Sequence, residues 1–226
     1  MVILAVDTTS RSGSLALARD GEVLESIAIE APDGFGQILY PRIETLLSRH
    51  MLTISDVDLY AAASGPGSFT GIRVGMTAIK ALAEANGKQV VAVSNLLAMA
   101  EAGQGQLRAP LLDARRGQVY AAVYDSDLRP VVAECVASWP EFLRLAGDHE
   151  VTFLAQSPQL FEAGGVAPIP KNGPGKRQII LSEPLAAAVA RVAARAQGRG
   201  KAVPPEAIDA NYVRRSDAEL KWRDPR

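Results

Sequence analysis

Val2-Ile3-Leu4-Ala5-Val6-Asp7-Thr8-Thr9-Ser10-Arg11-Ser12-Gly13 is a short apolar run that ends on a carboxylate and breaks into small turn-forming residues. A run of this length reads as a buried strand, and the alternation that resumes at Leu15 and Leu17 reads as its hairpin partner. Asp20-Gly21 is a strong two-residue turn signal, because glycine accepts the positive φ such a turn requires, and residues 23–29 continue as a third strand. Three antiparallel strands therefore open the chain. Ile38, Leu39, Ile43, Leu46 and Leu47 then recur at helical spacing over residues 37–49, with Pro41 tolerable only near the first turn. Residues 59–63 read as a buried strand, 65–71 as a loop, 72–86 as a helix and 90–93 as another strand, which gives the order βββαβαβ.

That order, a three-strand meander followed by alternating helices and parallel strands, is that of a ribonuclease-H-like lobe as used by nucleases and actin-like ATPases. Beyond Ala102 the pattern restarts as a second lobe. Strands at 109–112 and 118–124 flank Asp113-Ala114-Arg115-Arg116-Gly117, and 131–136 reads as a third. An apolar segment at 151–155, a turn-rich stretch at 164–175, an alanine-rich helix at 183–197 stopped by Gly198 and a linker-like stretch at 198–205 complete it.

The 226 residues are 48% apolar and 22% charged, the balance of a globular chain, which argues against disorder. One cysteine, Cys135, has no partner for an internal disulfide, and His50 and His149 are too few for a zinc site built on histidine and cysteine. With no basic leader and no apolar stretch near the roughly 18 residues of a membrane helix, a cytoplasmic protein is expected. Net charge is −1, yet residues 1–170 carry 12 basic and 19 acidic side chains, whereas 171–226 carry 12 and 6. The basic end could steer a nucleic acid or an acidic partner, although a solvated charge run is the commoner meaning of such asymmetry.

Asp7 stands where a ribonuclease-H-like nuclease places its first metal carboxylate. Two-metal chemistry needs several converging acids, however, and the fourth strand closes on Ala61-Ala62-Ala63-Ser64, so turn capping is the favoured role. Ser64-Gly65-Pro66-Gly67-Ser68-Phe69-Thr70-Gly71 could aim backbone amides at an anion, but it lacks the ending of a P-loop and the spacing of a nucleophile elbow. A tight turn with Ser68 or Thr70 capping the next helix is the favoured alternative. Small residues Gly75, Ala78, Ala81 and Ala85 lie beside Ile72, Met76, Ile79 and Leu82, so that helix offers two apolar faces. An intermolecular helix bundle and plain core packing both fit. Arg115 and Arg116 could meet phosphate or a partner carboxylate or simply face water, and Asn211-Tyr212-Val213-Arg214-Arg215 to Lys221-Trp222-Arg223 is a weak basic-aromatic nucleic-acid signal.

Three of these segments together, Ile3 to Ser10, Gly65 to Gly75 and Asp113 to Tyr120, resemble the TsaB family, also called YeaZ, and Asn211-Tyr212-Val213-Arg214 resembles its terminal segment. The resemblance implies an α/β, two-lobed actin-like ATPase (ribonuclease-H-like) fold with a reduced second lobe, residues 1–102 and 207–226 forming the first lobe and 103–206 the second. It implies a noncatalytic subunit of the bacterial complex that makes N6-threonylcarbamoyladenosine at position 37 of tRNA. Such a subunit binds and supports the catalytic TsaD, meets TsaE through the complex and tRNA indirectly, and forms a homodimer when TsaD is absent. ATP or ADP and metal are expected on the partner subunits, with no cofactor here. By resemblance the contact uses Leu39, Ile43, Leu46, Leu47, Ile72, Gly75, Met76, Ile79 and Leu82, and a vestigial nucleotide or anion site comprises Asp7, Thr8, Thr9, Gly67, Ser68 and Thr70. By the same resemblance Phe35 stands where many relatives carry histidine, which takes away a candidate ligand. The competing expectations are a glycoprotease-like hydrolase or ATPase acting alone through Asp7 and the Ser68 loop, and a self-associating protein whose basic end binds RNA.

Overall fold

The computed structural model of the chain describes residues 1–147, 150–162, 165–167 and 176–213. β1 (Val2–Asp7) is buried on both faces, as the middle strand of a covered sheet must be. It pairs antiparallel with β2 (Ser12–Arg19), Leu4 opposite Leu17, and β2 pairs with β3 (Glu22–Glu30) through the expected turn, where Asp20 and Gly21 take φ of 54° and 90°. On its other side β1 runs parallel to β4 (Leu59–Ala63), which runs parallel to β5 (Gln89–Val93), giving the order β3-β2-β1-β4-β5.

The two faces of this sheet bury different helices, as the period of two along β1 requires. Leu4 and Val6 join Leu15, Leu17 and Tyr60 beneath α1 (Leu39–Arg49) and α2 (Phe69–Asn86). Ile3 and Ala5 join Ala16, Leu59 and Ala61 beneath α3 (Asn95–Ala102) and α5 (Leu185–Gly198). The second sheet has β6 (Leu107–Asp113), β7 (Gln118–Asp125), β8 (Pro130–Ser138), β9 (Val151–Ala155) and β10 (Lys176–Ile180), in the order β10-β9-β6-β7-β8. Ala122 and Tyr124 face α3, while Val119, Ala121 and Val123 face away toward α4 (Trp139–Ala146), where Trp139 meets Phe153 edge-on at 5.4 Å. The layers are thus helix, sheet, helix, sheet, helix.

Four readings from the sequence need correction. The helix read from residue 72 begins at Phe69, so part of the expected loop is its first turn. α3 and α4 were not legible, because the middle of α3 is an unbroken apolar run with no polar stripe, and both are only eight residues long. The alanine-rich helix, expected within a second lobe spanning 103–206, packs on β1 to β5 and on α3. Ala186, Ala187, Ala188, Ala190 and Ala193 are wholly enclosed there, side chains small enough for a helix wedged between layers. The expected linker is likewise packed, since Val203 forms a β-bridge with Val90. Ile208 joins the core under α1 and α2, and most of the turn-rich stretch 164–175 lies outside the described residues.

A buried carboxylate fastens α5 to α3. Glu101, 5% exposed, receives Arg191 Nε at 2.7 Å and Arg195 Nη2 at 3.1 Å, and Arg191 also reaches Glu183 at 2.6 Å. Enlarging the enclosed Ala190 to leucine forces side-chain volume into a filled layer and is expected to cost about 1–3 kcal/mol, read as a lower urea midpoint.

Candidate functional site

The first and fourth strands end side by side, and the chain leaves them as two tight loops that press on each other. Asp7 closes β1 and is buried. Its Oδ1 accepts the Thr9 amide at 2.9 Å and the Thr9 hydroxyl at 2.6 Å. Burial pushes its carboxyl above the usual 3.8, with hydrogen bonds from Thr9 and Ser14 opposing the rise. Thr8 donates to the Gly71 carbonyl at 2.7 Å, and the Ser68 amide donates to the Thr9 carbonyl at 2.7 Å.

The glycines of the second loop exist for this contact. A Cβ on Gly67 would stand 2.6 Å from the Thr9 carbonyl oxygen, one on Gly71 would stand 1.9 Å from that of Thr8, and one on Gly75 would stand 2.4 Å from the Thr8 hydroxyl. Gly65, at φ +103°, is clamped by Asn95, whose Oδ1 accepts its amide at 3.1 Å, while Asn95 Nδ2 donates to Thr9 Oγ1 at 2.5 Å. Ser68 is the cap of α2, its Oγ accepting the Gly71 amide at 3.2 Å.

Of the expected anion-site residues, the structure brings Asp7, Thr8, Thr9, Gly67 and Ser68 to one junction and sends Thr70 to the far side of α2. Several of the donors a phosphate cradle would use are turned inward: the Thr8 and Thr9 hydroxyls and the amides of Gly65, Ser68 and Gly71 each have a protein acceptor. The tight-turn reading therefore describes this loop. Beside it lies a cleft of about 850 Å³ between the sheets, walled by Thr9 to Arg11 and Pro66 to Ser68 on one side and by Asp113 to Arg115, Tyr120 and Ser157 on the other. Arg115 takes φ of 63° and pairs with Asp113 at 3.3 Å. Among the described residues no three histidine, cysteine or acidic side chains cluster as metal ligands would.

His50 is paired with Glu25 at 2.9 Å, and Arg49 reaches the same carboxylate at 2.7 Å. Cys135 is half-buried, its thiol pushed up by burial, and His149 and residues 214–226 lie outside the described residues. Phe35 is buried, its ring filling the space beside Gly13.

A second concavity, about 460 Å³, runs along the outer surface between α1 and α2. The residues expected to form an interface there do not reach it as a group. Leu39, Ile43, Leu46, Leu47, Ile72, Met76 and Ile79 are all at most 5% exposed and belong to the core against the first sheet, Gly75 is buried under Thr8, and Leu82 is partly buried. Their 3.6-residue periodicity marked the inward face of each helix. The outward rim is made by Tyr40 and Phe69, 46% and 45% exposed, with Thr70, Arg73, Val74 and Thr77 between them.

A family model described as "TsaD: tRNA N6-adenosine threonylcarbamoyltransferase" matches residues 30–206. The tRNA threonylcarbamoyladenosine biosynthesis protein TsaB of Bacillus subtilis (strain 168) is 33% identical over 168 residues, covering 71% of this chain and 73% of that protein. The structure of YeaZ from Pseudomonas aeruginosa superposes with a TM-score of 0.78 at 27% identity, over 93% of this chain and 99% of that one. The chain belongs to the TsaB/YeaZ family. Its TsaB relative in Escherichia coli (strain K12) is 34% identical over 131 residues, 56% of each chain. The TsaB/YeaZ chain also shares its fold with the activator of 2-hydroxyisocaproyl-CoA dehydratase from Clostridium difficile, at a TM-score of 0.53 and 10% identity. The two-lobed actin-like architecture expected from sequence is the one observed.

Two substitutions test the loop contact in this TsaB/YeaZ member. Gly71→Ala drives a methyl into the Thr8 backbone and is expected to cost at least about 3 kcal/mol, measured by urea unfolding. Asp7→Asn keeps an oxygen for both Thr9 donors and removes the charge. Because the folded pKa is raised, the native wild type holds more protons than the unfolded chain above 3.8, so its stability falls as pH rises through that window and stays lower beyond it. The variant is expected to melt higher than wild type at neutral pH, with the gap closing as pH falls toward 3.8; a wild type that melts higher at neutral pH would overturn this.

Proposed function

We propose that the chain is a noncatalytic subunit in bacterial synthesis of tRNA N6-threonylcarbamoyladenosine, which docks on the catalytic TsaD and supports it. The observation that carries the reading is the groove between α1 and α2. Two half-exposed aromatics, Tyr40 and Phe69, and an arginine, Arg73, flank it. Tyrosine and arginine are enriched where protein partners bind tightly. In this reading the groove takes a helical surface of TsaD, and a second copy of the chain when TsaD is absent. Nucleotide and metal then reside on the partner subunits, TsaE joins through the assembly, and tRNA is met there. The inward-turned hydroxyls at the Asp7 junction favour this over a hydrolase or ATPase acting alone.

Light scattering after size exclusion, on the chain alone and mixed with TsaD of the same organism in the presence of TsaE and ATP, tests it. Wild type is expected to pass from homodimer to heteromeric complex. Thr70→Arg and Thr77→Arg, both at exposed positions of the groove, are expected to weaken both associations by about tenfold or more, at an unchanged melting temperature. Ile79→Arg is no such test, since Ile79 is wholly enclosed and the variant would unfold. Wild type that ignores TsaD, or groove variants that bind it normally, would overturn the reading. Turnover by the purified chain alone that is lost in Ser68→Ala would instead establish the hydrolase or ATPase.

A further inference from the structure

Glu134, on β8, has no part in the groove or in the Asp7 junction, yet its carboxylate gathers donors from three separate elements. The Ser94 hydroxyl and the Tyr124 hydroxyl donate to Oε1, the latter at 2.7 Å, and Asn211 Nδ2 donates to Oε2 at 2.6 Å. Tyr124 belongs to the second sheet, Ser94 caps α3, and Asn211 lies on the segment that follows Ile208 out of the first core. The carboxylate side chain is half-buried, where three hydrogen bonds to one charged group hold far better than in open water.

Asn211 is held a second time, its backbone amide donating to the Ser64 carbonyl at 2.8 Å. The next residue, Tyr212, then lands on the outer end of α2. Its ring centre is 5.6 Å from that of Phe69, Arg73 Nε donates to its hydroxyl at 3.3 Å, and the Arg73 guanidinium sits 3.9 Å above the Phe69 ring. Tyr212 is 43% exposed and Phe69 45%, so the tyrosine leaves Phe69 open to a partner. It continues the aromatic surface of Phe69 at the end of the groove and meets both Phe69 and Arg73.

We propose that Glu134 is a positioning residue for the α1–α2 groove: by holding Asn211 it seats Tyr212 against Phe69 and Arg73, and so ties the second sheet to the shape of the groove rim on the first. A rim held in its bound arrangement loses less conformational freedom on docking and binds more tightly. The consequence for binding rests on the groove being the docking surface; the seating of Tyr212 does not.

The test therefore has one arm on the chain alone and one with TsaD. Glu134→Ala and Asn211→Ala cut the same link from opposite ends, and the second leaves β8 untouched. Each is expected to accelerate hydrogen exchange of the residue-211 amide by about tenfold or more while amides in α2 stay protected. In each, the ring-proton shifts of Tyr212 move toward those of an unstacked tyrosine. Glu134→Gln is expected to restore both signals, because Oε1 still accepts and the new amide can donate to Asn211 once that side chain flips. Unchanged exchange and ring shifts in both alanine variants would overturn the proposal, as would failure of rescue by glutamine.

In the second arm, Glu134→Ala and Tyr212→Ala are each expected to weaken TsaD binding by about fivefold, and the double variant no further, because both act through one contact. Losses that multiply in the double variant, or alanine variants that free Tyr212 yet bind normally, would refute the link to the groove. A wild type that does not bind TsaD at all would remove the proposed function and leave the seating of Tyr212 to the first arm.

Discussion

The molecule is organised by one close approach, that of the Thr8-Thr9 backbone to the first turns of α2. A carbonyl oxygen lying 1.9 Å from where a Gly71 side chain would begin leaves no residue but glycine at that position. Once the turn after β1 lies there, the Thr8 hydroxyl, the Ser68 amide and the Asn95 side chain all have partners within reach, and the ends of β1, β4 and β5 are tied into a single corner. The orientation of α2, and with it the surface that α2 presents outward, follows from that corner.

The donors of that corner are exchanged among the chain's own polar groups. Asp7 illustrates the exchange. A buried carboxylate is tolerable because Thr9 supplies two donors, although burial still lifts its pKa. A glycine-rich loop between a strand and a helix thus has two physical uses, exposing amides to a ligand or admitting another stretch of backbone. Which use applies depends on where the amides point.

Much of the first lobe was legible in the sequence because its signals are local. Asp20-Gly21 set the hairpin, 59–63 formed the expected strand, and Ile38 to Leu47 marked the helical face that turned inward. The same periodicity misled at the surface, because an apolar stripe reports what a helix buries in its own domain before it reports a partner, and Ile79 and Leu46 are core residues for that reason. Val74, Thr77 and Tyr40 carry no such stripe and could be found only from the fold. Asn95, Glu134 and Asn211 were invisible for a different reason. Apart from Tyr124, ten positions from Glu134, their side chains meet partners 30 to 86 positions away, and nothing local distinguishes an amide that will clamp a loop from one that will face water. The alanine-rich helix was seen as a helix, but its burial against the first sheet is a long-range property.

That helix has a bearing on how the chain comes together in time. Ile3, Ala5 and Ala61 belong to the earliest strands, yet most of the surface that covers them arrives with residues 185–203, after the whole second sheet. Closing a contact over 172 residues is slow compared with forming a local hairpin. While the chain is still being synthesised, the inner face of its first sheet stands open, and the second sheet must form beside it without becoming its cover. The alanines that finally close the gap carry no rotatable side-chain bonds to freeze, so their own enclosure orders backbone alone. A chain cut short before residue 185 would keep the strands and the hairpin but display an apolar sheet face, a surface suited to aggregation and to capture by chaperones.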